Sequence, residues 1–93
     1  MFKYYSSNPF QLEVNEDLKI GRVLLDTDHI ADFTPETVVI FHPELFHGID
    51  NYIHSSDVKF EFPSSWYKFQ SENQKYDFNQ IMTLIKVFKG LIV

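Results

Sequence analysis

Four histidines and the carboxylates around them are the residues of this 93-residue chain best suited to chemistry. His29, His42, His47 and His54 are the candidate metal ligands, and Asp26-Thr27-Asp28-His29 sets two carboxylates beside an imidazole, a donor set for a hard-to-borderline ion. The His42–His47 spacing of i, i+5 puts the two rings on different faces of a helix, whereas zinc helices use i, i+4. The spacing therefore does not favour a metal centre, and no metal or other cofactor is expected. A small metal-binding protein or metal-dependent enzyme built on the histidine/aspartate cluster is kept as the alternative function. Ser55-Ser56 and Ser64-Ser65 lack a nucleophile elbow. The three glycines stand alone at 21, 48 and 90, so no phosphate-cradling loop exists. No catalytic residue is assigned, and the chain is read as a non-enzyme.

Charge placement carries more information. The chain holds 13 acids against 8 bases, net −5. From Val23 to Val58 there is no Lys or Arg, and seven acids fall there: Asp26, Asp28, Asp32, Glu36, Glu44, Asp50 and Asp57. Thirteen acids less these seven leave six against eight bases, so the rest of the chain is +2. Seven negative charges without a neighbouring cation repel one another. A basic partner surface would relieve that repulsion and speed association. These seven acids are the expected partner-binding set, with Phe46 and Tyr52 as aromatic anchors within the charged surround. The competing reading is a solvated acidic face that only keeps a small domain soluble. Net negative charge opposes nucleic-acid binding, which requires a basic face.

A 93-residue chain makes one domain, residues 1–93, and it folds alone only with a dense core. At 44% hydrophobic and 17% aromatic residues, the material for that core is present. The absence of Cys rules out a disulfide framework and favours a cytoplasmic setting. The N-terminal segment carries no apolar core of a signal peptide, and no apolar run approaches a membrane span.

The alternation Phe10-Gln-Leu-Glu-Val14 predicts a strand, Asn15-Glu-Asp17 a turn, and Leu18 to Leu25 a second strand with a bulge at Gly21. Thr37 to Phe41 reads as a buried strand. Leu45, Ile49, Tyr52 and Ile53 form one helical stripe behind Pro43-Glu44. Val58 to Phe62 alternates strictly up to Pro63. The last element is an amphipathic helix with Asp77 and Gln80 as a capping box, Phe78, Ile81, Met82, Ile85 and Phe88 on one face, and Gly90 as its stop. Leu91-Ile92-Val93 is expected to dock on the core. The class is α+β: a small single domain, mostly antiparallel sheet, with a C-terminal amphipathic helix packed on it.

In size, lack of Cys and its acid-only run from Asp26 to Asp57, the chain resembles the antitoxins and immunity proteins of bacterial toxin systems, including contact-dependent growth inhibition, and phage-encoded inhibitors. That resemblance implies an inhibitor that binds a basic toxin, often a nuclease, and blocks it with carboxylates standing in for phosphates.

Overall fold

A computed structural model describes residues 2–63 and 74–92. Among the described residues, eight strands, two helices and a 3-10 turn form an α+β domain. Strands β1 (Phe2–Ser7), β2 (Phe10–Asn15), β3 (Ile20–Leu25), β4 (Asp28–Phe33) and β5 (Thr37–Ile40) make an antiparallel meander. A 3-10 turn (Pro43–Leu45), β6 (Phe46–His47) and α1 (Ile49–Ile53) carry the chain across to β7 (Lys59–Glu61), which joins β5 in parallel. The sheet order is β1-β2-β3-β4-β5-β7. The final pieces are β8 (Tyr76–Asp77), paired in parallel with β6, and α2 (Asn79–Ile92).

The period of two decides which face of the sheet is buried. Phe10, Leu12 and Val14 point into the core from β2, and Gly21 and Val23 do so from β3. Helix α2 covers this face with Ile81, Leu84, Ile85 and Phe88, and Phe78 just ahead of it is fully buried. No described element covers the opposite face, so it meets solvent as an antiparallel sheet can.

Several expectations need correction. The turn between β2 and β3 is Glu16 to Lys19, so Leu18 lies in the turn and not in a strand. Leu18 N donates to Asn15 Oδ1 at 3.1 Å, and Lys19 sits at φ 56°. Gly21 pairs regularly with Val14 and Phe33, while the bulge lies between Val23-Leu24 and the stretch His29 to Ala31. The extra residue is Ile30, so Ile30 and Ala31 are both buried although adjacent.

The single stripe-bearing helix from Leu45 to Ile53 is broken by Gly48 at φ 81°, a left-handed conformation open to glycine. Its stripe still faces the core, with Ile49 buried and Leu45, Tyr52 and Ile53 packed against it. At α2 the capping box does not form. Asp77 Oδ1 accepts the Asn79 N–H at 2.8 Å, while Gln80 Nε2 donates to the Asn8 carbonyl at 3.0 Å and ties the helix start to the β1–β2 turn. Gly90 does not end the helix, which runs on to Ile92, and Leu91 and Ile92 dock on the core. Phe41 is 39% exposed and lies just past β5 instead of inside a buried strand. Trp66, Ser64 and Ser65 lie outside the described residues.

Candidate functional site

The meander gives the sheet two distinct ends. One end carries the β1–β2 and β3–β4 turns, the close of β5 and the start of α2. The other carries the β2–β3 and β4–β5 turns and the close of α2. This arrangement separates the seven acids. Asp26 and Asp28 flank the tip of the β3–β4 hairpin at the first end, where Glu44 follows in the 3-10 turn. Asp50 is exposed on α1, whose Tyr52 ring lies 5.8 Å from that of Phe78 at the start of α2. Glu36 and Asp57 belong to the far end, where Lys59 N donates to the Glu36 carbonyl at 3.1 Å. Asp32 sits between the ends, on the open face.

Partners divide the acids further. Asp57 Oδ1 accepts from Lys89 Nζ at 2.7 Å, so the acid-only segment is neutralised there by the C-terminal helix. This lysine, first by its hydrogen bond and then by its charge, together with a backbone hydrogen bond, holds the Asp57 carboxyl below its ordinary value of 3.8. The native state therefore binds fewer protons than the unfolded chain near that pH. The resulting stabilisation is complete above the unfolded value and disappears as pH falls through the lowered native value. Lys89→Met is accordingly expected to be less stable than wild type at neutral pH, with the gap closing in acid below about pH 4. Urea unfolding at several pH values measures this, and a gap that is constant with pH would contradict it.

Asp32 Oδ1 pairs with His29 Nε2 at 2.5 Å. It also lies directly across from Arg22, whose guanidinium pairs with Glu13 (Nε to Oε2, 3.0 Å). Glu13 holds the Arg22 side chain above its ordinary value, mainly through that hydrogen bond. Glu13, Arg22, Asp32 and His29 thus form a ladder of polar side chains across β2, β3 and β4. It borders an open depression of about 340 Å³ that also includes Ile20 and Thr34. Glu44 meets His42 Nδ1 at 2.9 Å. Asp26 and Asp28 are exposed and make no ion pair among the described residues. Lys3, Lys19, Lys59 and Lys89 lie toward the opposite end, where Lys3 pairs with Glu16 at 2.9 Å. Lys75, whose N–H donates to the Leu45 carbonyl at 3.1 Å, stands instead beside the 3-10 turn that carries Glu44.

The two expected anchors fare differently from expectation. Phe46 is 1% exposed, enclosed by Phe10, Phe78 and Tyr76, so it is a core residue and cannot present its ring to a partner. Pairing of β6 with β8 draws it inward. Tyr52 is half-buried against Phe78 and keeps only an edge at the surface. The histidines do not gather. His29 and His42 each face one carboxylate, His47 is exposed in β6 and His54 is exposed after α1. Among the described residues no three histidine or acidic side chains could hold a metal ion.

Sequence reasoning missed Glu13, Arg22, Tyr4 and Phe41 as surface features. Pairing across a correctly placed four-residue turn would have brought Glu13 to Arg22. A turn placed at Asn15–Asp17 begins one position early and ends two positions short of Glu16–Lys19, which hides the register. Comparison with known proteins finds no matching family model, no matching curated protein and no matching solved structure.

Proposed function

We propose that this chain is a binding protein that neutralises a basic protein partner, a toxin domain of nuclease type, through the acidic end of its sheet. The observation that carries this reading is the β3–β4 hairpin tip. Asp26 and Asp28 stand exposed there with no ion pair among the described residues, at the end of the sheet away from Lys3, Lys19, Lys59 and Lys89. Glu44 in the 3-10 turn and the exposed Asp50 on α1 are the further acids offered to the partner. A two-residue loop on a rigid hairpin fixes the carboxylates in place, so little chain entropy is lost on binding. Fixed carboxylates can occupy the positions that phosphates take in a basic cleft, and their field steers encounter. Asp57 and Asp32 contribute less to this surface, because Asp57 pairs with Lys89 and Asp32 lies across from Arg22.

The test must respect backbone geometry. Asp26 adopts φ 56°, a left-handed conformation that Asp and Asn tolerate and most side chains do not. Asp26→Asn with Asp28→Asn removes both charges while leaving the turn intact. Co-expression with the product of the adjacent gene should let wild type restore growth. The double variant should lose that protection, with association slowed about tenfold or more at low salt. Unchanged association by stopped flow would remove the hairpin tip as the docking point. An adjacent gene product without toxicity would remove the toxin-inhibitor reading.

A further inference from the structure

Strand β1 closes one side of the six-stranded sheet, and no described strand pairs with its outer edge. Its six residues pair with β2 in unbroken register, without a bulge or a proline. Ser7 and Phe10 flank a two-residue turn, so they exchange main-chain hydrogen bonds. Alternation from that pair turns the N–H and C=O groups of Phe2, Tyr4 and Ser6 to the outer edge. No main-chain group among the described residues meets them there. The usual protections of an edge are missing. Lys3 is the one charged residue of β1; it stands across from Val14, on the helix side, and is answered by Glu16 at 2.9 Å. Donors and acceptors spaced in this way select an extended strand as their partner.

Helix α2 narrows the choice of strand. Gln80 bonds the Asn8 carbonyl in the β1–β2 turn, while Lys89 bonds Asp57 just ahead of β7, at the other side of the sheet. Gln80 and Lys89 are two and a half helical turns apart, so these contacts mark opposite flanks of α2. The flank toward β1 is Gln80, Thr83, Val87 and Leu91, which holds no charge. Val87 and Leu91 are only half-buried there. A second copy of the chain fits the edge and this flank together. In antiparallel pairing about a two-fold axis at Tyr4, that residue meets Tyr4 of the partner subunit, and Phe2 meets Ser6 of the partner subunit. Both are hydrogen-bonded pairs, and together they give about six main-chain bonds. With strands about 4.8 Å apart, helices lying over β1 and β2 come about 10 Å from each other, the distance at which helices pack. A free peptide would fill the edge and leave Val87 and Leu91 uncovered. Strand edge, Tyr4 ring and helix flank form a wall about 20 Å by about 20 Å. Two such walls lose roughly 1,000 Å² between them, enough for a specific, reversible pair.

We infer that two copies of this chain join their β1 edges into one continuous sheet, with the two α2 helices side by side over the seam. The seam leaves the β3–β4 hairpin tip free, so the inference does not depend on the proposed inhibitor function. Sedimentation equilibrium of the full chain should give a species of twice 11.1 kDa as concentration rises. Amide exchange at Tyr4 and Ser6 should slow as that species fills. Tyr4 is 60% exposed, so Tyr4→Lys and Tyr4→Glu should keep the circular dichroism spectrum. Each sets like charges across the axis and should weaken association about tenfold, and their equimolar mixture should associate again. Val87→Lys should weaken it from the helix flank, whereas Ile20→Lys, on the open face away from the edge, should leave it unchanged. A wild-type chain that stays monomeric at about 0.5 mM would overturn the inference. So would a dimer that Val87→Lys leaves unchanged, one that Ile20→Lys abolishes, or a charge-reversed mixture that fails to associate.

Discussion

Phe78→Ala is expected to remove about 3–5 kcal/mol of folding stability, the usual loss for a phenylalanine truncated inside a core. The ring is fully buried and lies within 5.8 Å, centroid to centroid, of Phe46, Tyr52 and Phe60. It therefore joins β6, α1 and β7 to the start of α2. Its backbone acts at the same junction, donating to the His47 carbonyl at 2.9 Å and accepting the Ile81 and Met82 N–H groups of α2. A domain of this size has about 5–15 kcal/mol in total, so the variant sits near the limit of folding. In a thermal melt the loss amounts to at least about 12 °C. Phe78→Leu keeps most of the volume and should lose about 1.5 kcal/mol at most. Equal midpoints for the two variants in urea would show that the aromatic cluster is not what holds these elements together.

Gly21→Val should also be costly, although valine is the better strand residue. A Cβ at position 21 would meet Phe88 Cδ1 at 2.9 Å and Cε1 at 3.0 Å, and Leu12 Cδ1 at 3.2 Å. Phe88 cannot swing away, since it is buried and packs edge-on against Phe33 at 5.7 Å. The gain in strand propensity is at most about 1 kcal/mol. Overpacking costs about 1–3 kcal/mol, so alanine already loses stability and valine loses more. Gly21→Ala with Phe88→Leu frees the space and should be less damaging than the sum of the two single changes, a coupling that a double-mutant cycle reads directly. Strict additivity would mean that α2 does not rest on β3 at this point. The glycine is thus a contact position that lets a helix lie close on a sheet, which explains its place in a regular strand.

Both effects concern how α2 is seated, and the proposed docking end depends on that seat. Gln80 bonds the Asn8 carbonyl at 3.0 Å, so a loosened helix would also loosen the β1–β2 turn beside the acidic hairpin. Variants in the core are therefore expected to weaken partner binding through stability. Asp26→Asn and Asp28→Asn should weaken it with the melting temperature preserved.

The elements that were legible in the amino-acid order are those whose side chains repeat with one period or favour a strand by type. Phe10 to Val14 alternates with a period of 2.0, and α2 repeats at 3.6. Leu84 joins Ile81, Ile85 and Phe88 on the buried face of α2 in addition to the residues expected. Thr37 to Ile40 is legible from its β-branched residues. Strand β4 escaped because the bulge at Ile30 buries two neighbours and destroys its alternation. The helix ends were misjudged because their polar groups found distant partners. Gln80 bonds Asn8 across 72 positions, and no local rule foresees that.

The candidate surface divides along the same line. Sequence alone determined that residues 23–58 hold seven acids and no Lys or Arg, since that is a property of order. Only tertiary structure decided which of those charges stay uncompensated, because Coulomb energy follows distance in space. Folding brings Lys89 to Asp57 and Arg22 across from Asp32, buries Phe46, and leaves Asp26 and Asp28 at a hairpin tip without a cation among the described residues.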